Sequence, residues 1–502
     1  MQKKYFFLLL IPFLVATSNI CFSQQKTNIS YQADILRAHE FDKSINVLVG
    51  NAIFTHDGTL VYCDSAYFYT NDNKIDAFSN IRIKVSDTLN IYGNTLKYDG
   101  NTKIAEILEN VKLIDNQTTL TTNYLNYDRK TGIASYFDGG KIVDKENVLT
   151  SKIGHYYTNK KQFFFKTNVL LVNPKYTIDS DTLMFNTITE IAYFFGPTNI
   201  VSKENKIYCE NGWYNTKTDK SQFSRNSWLQ NKNQYLEGDS MYYDRKIGYG
   251  VAYNNVVLID TAKNITLKGN YIENNELLNK SLITDSALAI LVENNDTLFL
   301  HSDTLRALYD TAENIEYLLA FRKVKFFRSD IQGLCDSLSF VMKDSLINMY
   351  YNPILWTEKN QLTADTIFLL SGKKQMKEMF LNSNAFIVSE SDTSQYNQVK
   401  GRNMHGFFAD NQLYKVEVKG NSETIYFLKE DNSDDVIGIN KAISSDLLIF
   451  INNKQIESIT FITNPEGTLY PLNELNQSER ILKGFKWLDK NRPKSKFDVF
   501  IW

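Results

Sequence analysis

Five histidines, four cysteines and several Asp-Ser pairs are the side chains of this 502-residue sequence best suited to catalysis or metal binding. His39, His56, His155, His301 and His405 are scattered, with no spacing that would aim two imidazoles at one ion. The pairs Asp64-Ser65, Asp239-Ser240 and Asp336-Ser337 lack a histidine partner in their own stretch of sequence, so no hydrolase triad is indicated. Recurrent Asp raises calcium as a ligand, but the Gly-rich nonapeptide of calcium-binding β-rolls is absent. No Gly-Lys-Ser or Gly-Lys-Thr closes a phosphate-cradling loop. A net charge of −2 lacks the basic excess that nucleic-acid binding needs. The expectation is a protein that is not an enzyme, uses no cofactor or metal and binds no nucleic acid.

The acidic residues make sense as members of a repeat. Asp64 lies in Val61-Tyr62-Cys63-Asp64-Ser65-Ala66-Tyr67-Phe68, and the pattern returns at Ile91-Tyr92-Gly93-Asn94-Thr95-Leu96 and Leu120-Thr121-Thr122-Asn123-Tyr124-Leu125. It recurs at Leu236-Glu237-Gly238-Asp239-Ser240-Met241 and Leu362-Thr363-Ala364-Asp365-Thr366-Ile367. About fourteen anchors can be followed between residues 34 and 446, the five successive gaps from 94 to 239 being 29 each; later gaps reach 37 and 44 through insertions. The place before the anchor is always small, the places three before and two after are apolar, and an aromatic is common four after. Side chains alternate along a straight strand, so apolar residues at −3 and +2 imply that the strand's phase is reset at the anchor by a bulge or corner. Asp or Asn there can bond local backbone groups in a bend.

The second half of each repeat reads as another strand, clearest in Ile104-Ala105-Glu106-Ile107-Leu108-Glu109-Asn110-Val111-Lys112-Leu113 and echoed by Asn80-Ile81, Asn168-Val169, Asn255-Val256 and Asn384-Ala385. Turns such as Tyr98-Asp99-Gly100-Asn101 join the halves. No unit can bury its apolar side alone, so neighbours must stack on a shared core. The expected fold is therefore all-β: an elongated antiparallel β-jellyroll or roll of about fourteen two-strand repeats of about 29 residues. Three cysteines, Cys63, Cys209 and Cys335, occupy the small-residue column four or five repeats apart. At ~4.8 Å per repeat they would sit about 20 Å apart, too far for disulfides, and are expected as buried free thiols.

The ends differ from the repeat. Lys3, Lys4 and the apolar run Tyr5 to Ala16 resemble a secretory signal, with cleavage after Ser23; a retained anchor is the alternative. Residues 24–300 carry regular repeats and 301–464 more divergent ones. Residues 465–502 form a C-terminal cap over the last strand edge, in which Asn476 to Leu488 can make a short helix; a docking tail for a partner is the other reading.

The units built on Gly93-Asn94-Thr95-Leu96-Lys97-Tyr98-Asp99, with Ala105 and Glu109-Asn110-Val111-Lys112-Leu113, resemble the organic-solvent-tolerance (OstA-like) proteins. That superfamily includes periplasmic and membrane-anchored lipopolysaccharide-transport components. The resemblance implies a bent β-jellyroll in the periplasm, with a possible place at the outer membrane, whose apolar interior shields the acyl chains of lipopolysaccharide or a lipid A-containing glycolipid during outer-membrane assembly. It also implies partners among the transport components of the inner and outer membranes, and copies that can join end to end. The groove-lining candidates are Leu96, Tyr98, Leu125, Tyr127, Leu183, Phe185, Met241 and Tyr243, each of which could equally be core. The rival readings are a structural or adhesive surface β-repeat and, less compatible with a ladder of acids, a polysaccharide-acting enzyme.

Overall fold

Along Thr59–Tyr69 the buried side chains are Thr59, Val61 and Cys63, then Ala66 and Phe68. Alternation holds on each side of Asp64 and slips by one residue across it. The cause lies in the neighbouring strand Lys74–Lys84, where Ser79 and Asn80 both take left-handed backbone angles (φ 63° and 52°). The pairing register shifts there against the strands on both sides. The extra residue is a β-bulge that bends the sheet and resets its phase. The corner expected at the anchor is thus real, but its irregular residues belong to the second-half strand.

The same device recurs as left-handed pairs at Glu109-Asn110, Thr167-Asn168, Arg225-Asn226, Asn254-Asn255 and Ser383-Asn384. Asn suits the position because its short polar side chain tolerates the left-handed region. It is also where the anchor acid finds its partner. Asn80 donates to Asp64 at 2.7 Å, Asn226 to Glu210 at 2.9 Å, and Asn384 to both carboxylate oxygens of Asp365 at 3.1 Å. The anchors are corner clasps. Asp365→Ala is expected to cost about 1 kcal/mol in urea unfolding, one net hydrogen bond; Asn384→Val should cost more, since a β-branched residue must then hold φ near 54°.

The small column before the anchor packs inside this corner. A Cβ on Gly93 would stand 2.4 Å from Ile107 Cγ2, and one on Gly401 2.3 Å from Val418 Cγ1. Cys63, Cys209 and Cys335 fill the same column as buried free thiols, and burial pushes each thiol up to about 12. Iodoacetamide at pH 8 should therefore leave all three unmodified in the native protein and modify all three in denaturant.

The computed structural model describes residues 28–262, 264–293, 296–310, 315–372, 375–392, 394–410, 412–430, 435–452 and 455–502. The expected signal segment 1–23 lies outside them. The described residues form 34 strands, paired antiparallel throughout, and no α-helix. The fold is an all-β jellyroll of two-strand repeats. The chain divides into two units: Met1–Lys145 with His155–Thr158, and Glu146–Gly154 with Asn159–Trp502.

In each unit the corner splits the long strands into two arms, shorter strands such as Ile133–Tyr136 and Ile354–Thr357 forming one arm each, and stacked arms make two walls facing one another. The first unit uses strands of 11 or 12 residues, such as Leu89–Asp99 and Ile104–Asp115. Towards the end of the second unit they lengthen to 18 in Gln375–Asp392, 15 in Gln395–Ala409, 18 in Gln412–Lys429 and 17 in Val436–Asn452. Arms of about eight residues reach roughly 26 Å from the corner, against roughly 17 Å for five.

After the strand Glu466–Tyr470, residues 471–502 do more than cover the final edge. They run back across the outer face of the preceding repeats in turns and two 3-10 segments, Asp489–Asn491 and Asp498–Phe500. No helix forms between Asn476 and Leu488. Gly484 takes φ 98°, and the backbone groups of Arg480, Leu482, Lys486 and Leu488 bond to glutamine side chains of the sheet rather than to a helical turn.

Candidate functional site

Between the walls of the first unit the side chains fill the space. Leu96, Ile107, Leu113 and Leu125 have no exposed surface. A cavity beside Phe54, Tyr98, Tyr127 and Arg129 holds about 10 Å³, room for about one water. The open edges of the walls are also joined. His56 Nδ1 and Tyr98 Oη lie 2.6 Å apart, Arg129 donates to the same phenol oxygen at 2.8 Å, Lys103 pairs with Asp57 at 2.5 Å, and Tyr156 donates to Asp115 at 2.5 Å. All but the Arg129–Tyr98 bond, which lies within one wall, link a hairpin of one wall to a strand end or hairpin of the other.

These tyrosines are held neutral. Burial raises the phenols of Tyr98, Tyr127 and Tyr156 above their usual range, and for Tyr156 the bond to the Asp115 carboxylate adds to it. A phenol with a raised folded-state value contributes stability that is complete below its unfolded value near 10 and is lost as pH rises beyond it. The protein should therefore lose stability above about pH 10, and Tyr156→Phe should reduce that alkaline loss in pH-dependent urea unfolding.

Near the end of the second unit the walls stay apart. A hollow of about 1500 Å³ opens between two rows of hairpins. One row contributes Arg328, Asp330, Thr357 to Asn360 and Ser389 to Ser391, and the other Met376, Phe408 to Asp410 and Ile456. The floor is apolar: Leu355, Leu362, Leu369, Met379, Val399, Val416 and Ile449. Towards the mouth Ile387, Phe408, Leu413, Leu428 and Ile451 are only half-buried. The long strands explain the geometry, since their arms extend past the point where side chains from opposite walls can meet. The rim mixes the three basic residues Arg328, Lys359 and Lys429 with the five acidic residues Asp330, Glu358, Glu390, Asp410 and Glu430. A space of this size exceeds the roughly 300–1,000 Å³ of ordinary small-molecule pockets, and its accessible lining is mixed, polar hairpins at the mouth above half-buried apolar side chains. It can take up long apolar chains while a polar head stays in water.

The eight groove candidates lie elsewhere. Leu96, Tyr98, Leu125 and Tyr127 are buried in the closed core of the first unit. Leu183 and Met241 are buried in the second unit, while Phe185 and Tyr243 are half-buried there, the Tyr243 phenol donating to Glu276 at 3.1 Å. None of the eight lines the hollow. Sequence reading passed over the hollow's own residues, although the anchor gaps of 37 and 44 mark the insertions that lengthen its walls.

The profile of the OstA-like protein family matches residues 25–181 and 180–239. Among solved structures, the chain is similar to LptH, the LptA-homologous periplasmic component of the lipopolysaccharide transport device of Pseudomonas aeruginosa. That match has 14% identity and a TM-score of 0.20, covering 23% of this chain and 81% of the other. A superposition that loose carries no argument. No curated protein matches.

Proposed function

We propose that this chain, which matches the OstA-like family over residues 25–239, is a periplasmic lipopolysaccharide carrier that shields acyl chains in the hollow of its second unit. The observation supporting the site is the open space of about 1500 Å³ with half-buried Ile387, Leu428 and Phe408 at its mouth. Each acyl methylene moved from water into such a lining is stabilised by about 0.8 kcal/mol. A carrier of this kind needs only a continuous apolar surface, and the energy for transport comes from its partners at the inner membrane. Hand-over to components at the outer membrane, and end-to-end joining of copies, belong to the same proposal. Leu96, Leu125 and their column neighbours take part only if the joined edges beside them open.

The closed core of the first unit favours one rival, a structural β-repeat in which the roll is a spacer. Mass spectrometry of protein purified from lipopolysaccharide-producing cells separates the two. The carrier reading predicts a co-purifying glycolipid bearing lipid A. Folded protein with no bound lipid, even after incubation with lipopolysaccharide, supports the spacer.

A further inference from the structure

The wall that lines the hollow is one sheet thick, and its two faces have different jobs. Ile387, Tyr426 and Leu428 point into the hollow. Their chain neighbours Phe386, Val388, Ile425 and Phe427 point the other way, as alternation requires, and pack against Leu475, Leu482, Phe485 and Trp487 of the C-terminal segment. That segment is a strap on the back of the hollow's wall.

Three glutamines clasp it. Gln332, Gln361 and Gln398 each stand four places before an anchor, in successive repeats, and are 3%, 1% and 1% exposed. Gln398 Nε2 donates to the Arg480 carbonyl at 2.9 Å, and its Oε1 accepts from the Leu482 amide at 2.8 Å. Gln361 repeats the arrangement with the Lys486 carbonyl and the Leu488 amide, both at 2.7 Å. Gln332 accepts from Arg492 Nε at 2.8 Å. Each of the first two amides offers the strap one donor and one acceptor, as the backbone of a neighbouring strand would. In the first unit the same column holds Leu60, Asn90 and Thr119, all part-exposed. The buried glutamines therefore coincide with the wall that lines the hollow, each next to a lining residue (Ile331, Leu362, Val399), although only Gln398 lies on one of the lengthened strands.

We propose that Gln332, Gln361 and Gln398 are positioning residues for the hollow: through the strap they brace its wall, so strap docking and acyl-chain binding are coupled. The acyl-chain half rests on the carrier function proposed above; the bracing half does not. Near the corner the inner face of the 18-residue strand Gln375–Asp392 is packed, with Met379, Leu381 and Ala385 buried, but from Ile387 to Ser391 it opens on the hollow, and there the strap supplies packing from behind. By linkage, the factor by which the docked strap raises chain affinity is the factor by which a bound chain favours strap docking.

The test uses the full chain with Gln361→Ala and Gln398→Ala combined, and Leu482→Asp as a second way to release the strap. Amide hydrogen exchange is read at Leu482 and Leu488 on the strap, at Ala385 to Ser389 on the wall, and across Thr59 to Asp128 as a folding control. Binding is read with pyrene-labelled palmitic acid. Both variants should speed strap exchange about 100-fold and wall exchange about tenfold, leave the control unchanged, and weaken probe binding at least about fivefold. Released strap amides with unchanged wall exchange would overturn the proposal. So would strap amides that stay protected in the glutamine variant. A wild-type protein that takes no probe defeats the carrier function alone, because wall exchange still decides the brace.

Discussion

Ile387→Glu combined with Leu428→Glu is expected to lower glycolipid retention roughly 100-fold while leaving the protein folded. Both side chains line the hollow and both are half-buried, so the carboxylates can reach water when the site is unoccupied. Substitutions of that kind usually change stability little. With cargo present the situation reverses. An acyl chain laid along this wall would cover the new charges, and the complex must either bury them or give up contact with that stretch. Forgoing three or four methylene contacts at about 0.8 kcal/mol each is a loss near 3 kcal/mol, roughly 100-fold in affinity. The check is a titration of purified protein with a fluorescent lipopolysaccharide, paired with a urea melt. Unchanged affinity with an unchanged melt would remove the hollow as the binding site.

Trp356→Ala should be among the most damaging single substitutions, at about 3–5 kcal/mol. Trp356 has no exposed surface and lies on the short strand Ile354–Thr357, paired with Gln332 on one side and Gln361 on the other. It therefore fills the outer face between two of the glutamines that hold the strap, and truncation opens a cavity where the strap meets the sheet. Its indole nitrogen has no hydrogen-bond partner among the described residues. Trp356→Phe removes that buried donor while keeping most of the ring volume, and should cost less than half as much. Denaturant unfolding of the two variants gives the comparison. Equal losses would mean that the ring's bulk is not what holds this face.

The repeat was legible because its chemistry is local. A small residue, an acid and apolar residues at −3 and +2 follow from the geometry of one corner, so the all-β fold and the phase reset could be read from the residues around Asp64 and Asp365. The partner of that corner was visible and misassigned. Asn80, Asn168, Asn255 and Asn384 read as parts of regular strands, whereas each is the second of two left-handed residues in a bulge. A recurrent Asn about 16 places after an acid, as between Asp64 and Asn80 or Asp239 and Asn255, is the signal that could have placed it.

The site was harder, because whether a roll is filled or hollow is not a property of any column. Leu96 and Ile387 are both inward-facing aliphatic residues. What separates them is the distance from the corner at which the opposing wall ends, set by strand length many residues away. The long gaps after Asp365 and Arg402 held that information, but as insertions they show only that residues were added, not that they lengthen the walls. The strap's position was concealed for a similar reason. Gln361 and Gln398 look like ordinary surface residues until a segment 80 to 130 residues downstream returns to cover them.

Photo-crosslinking in lipopolysaccharide-producing cells tests the central claim most directly, with a benzoylphenylalanine placed at Ile387 in one strain and at Leu96 in another. The hollow as cargo site predicts a lipopolysaccharide adduct at 387 and none at 96. Adducts at 96 with none at 387, or folded protein without an adduct at either position, would contradict it.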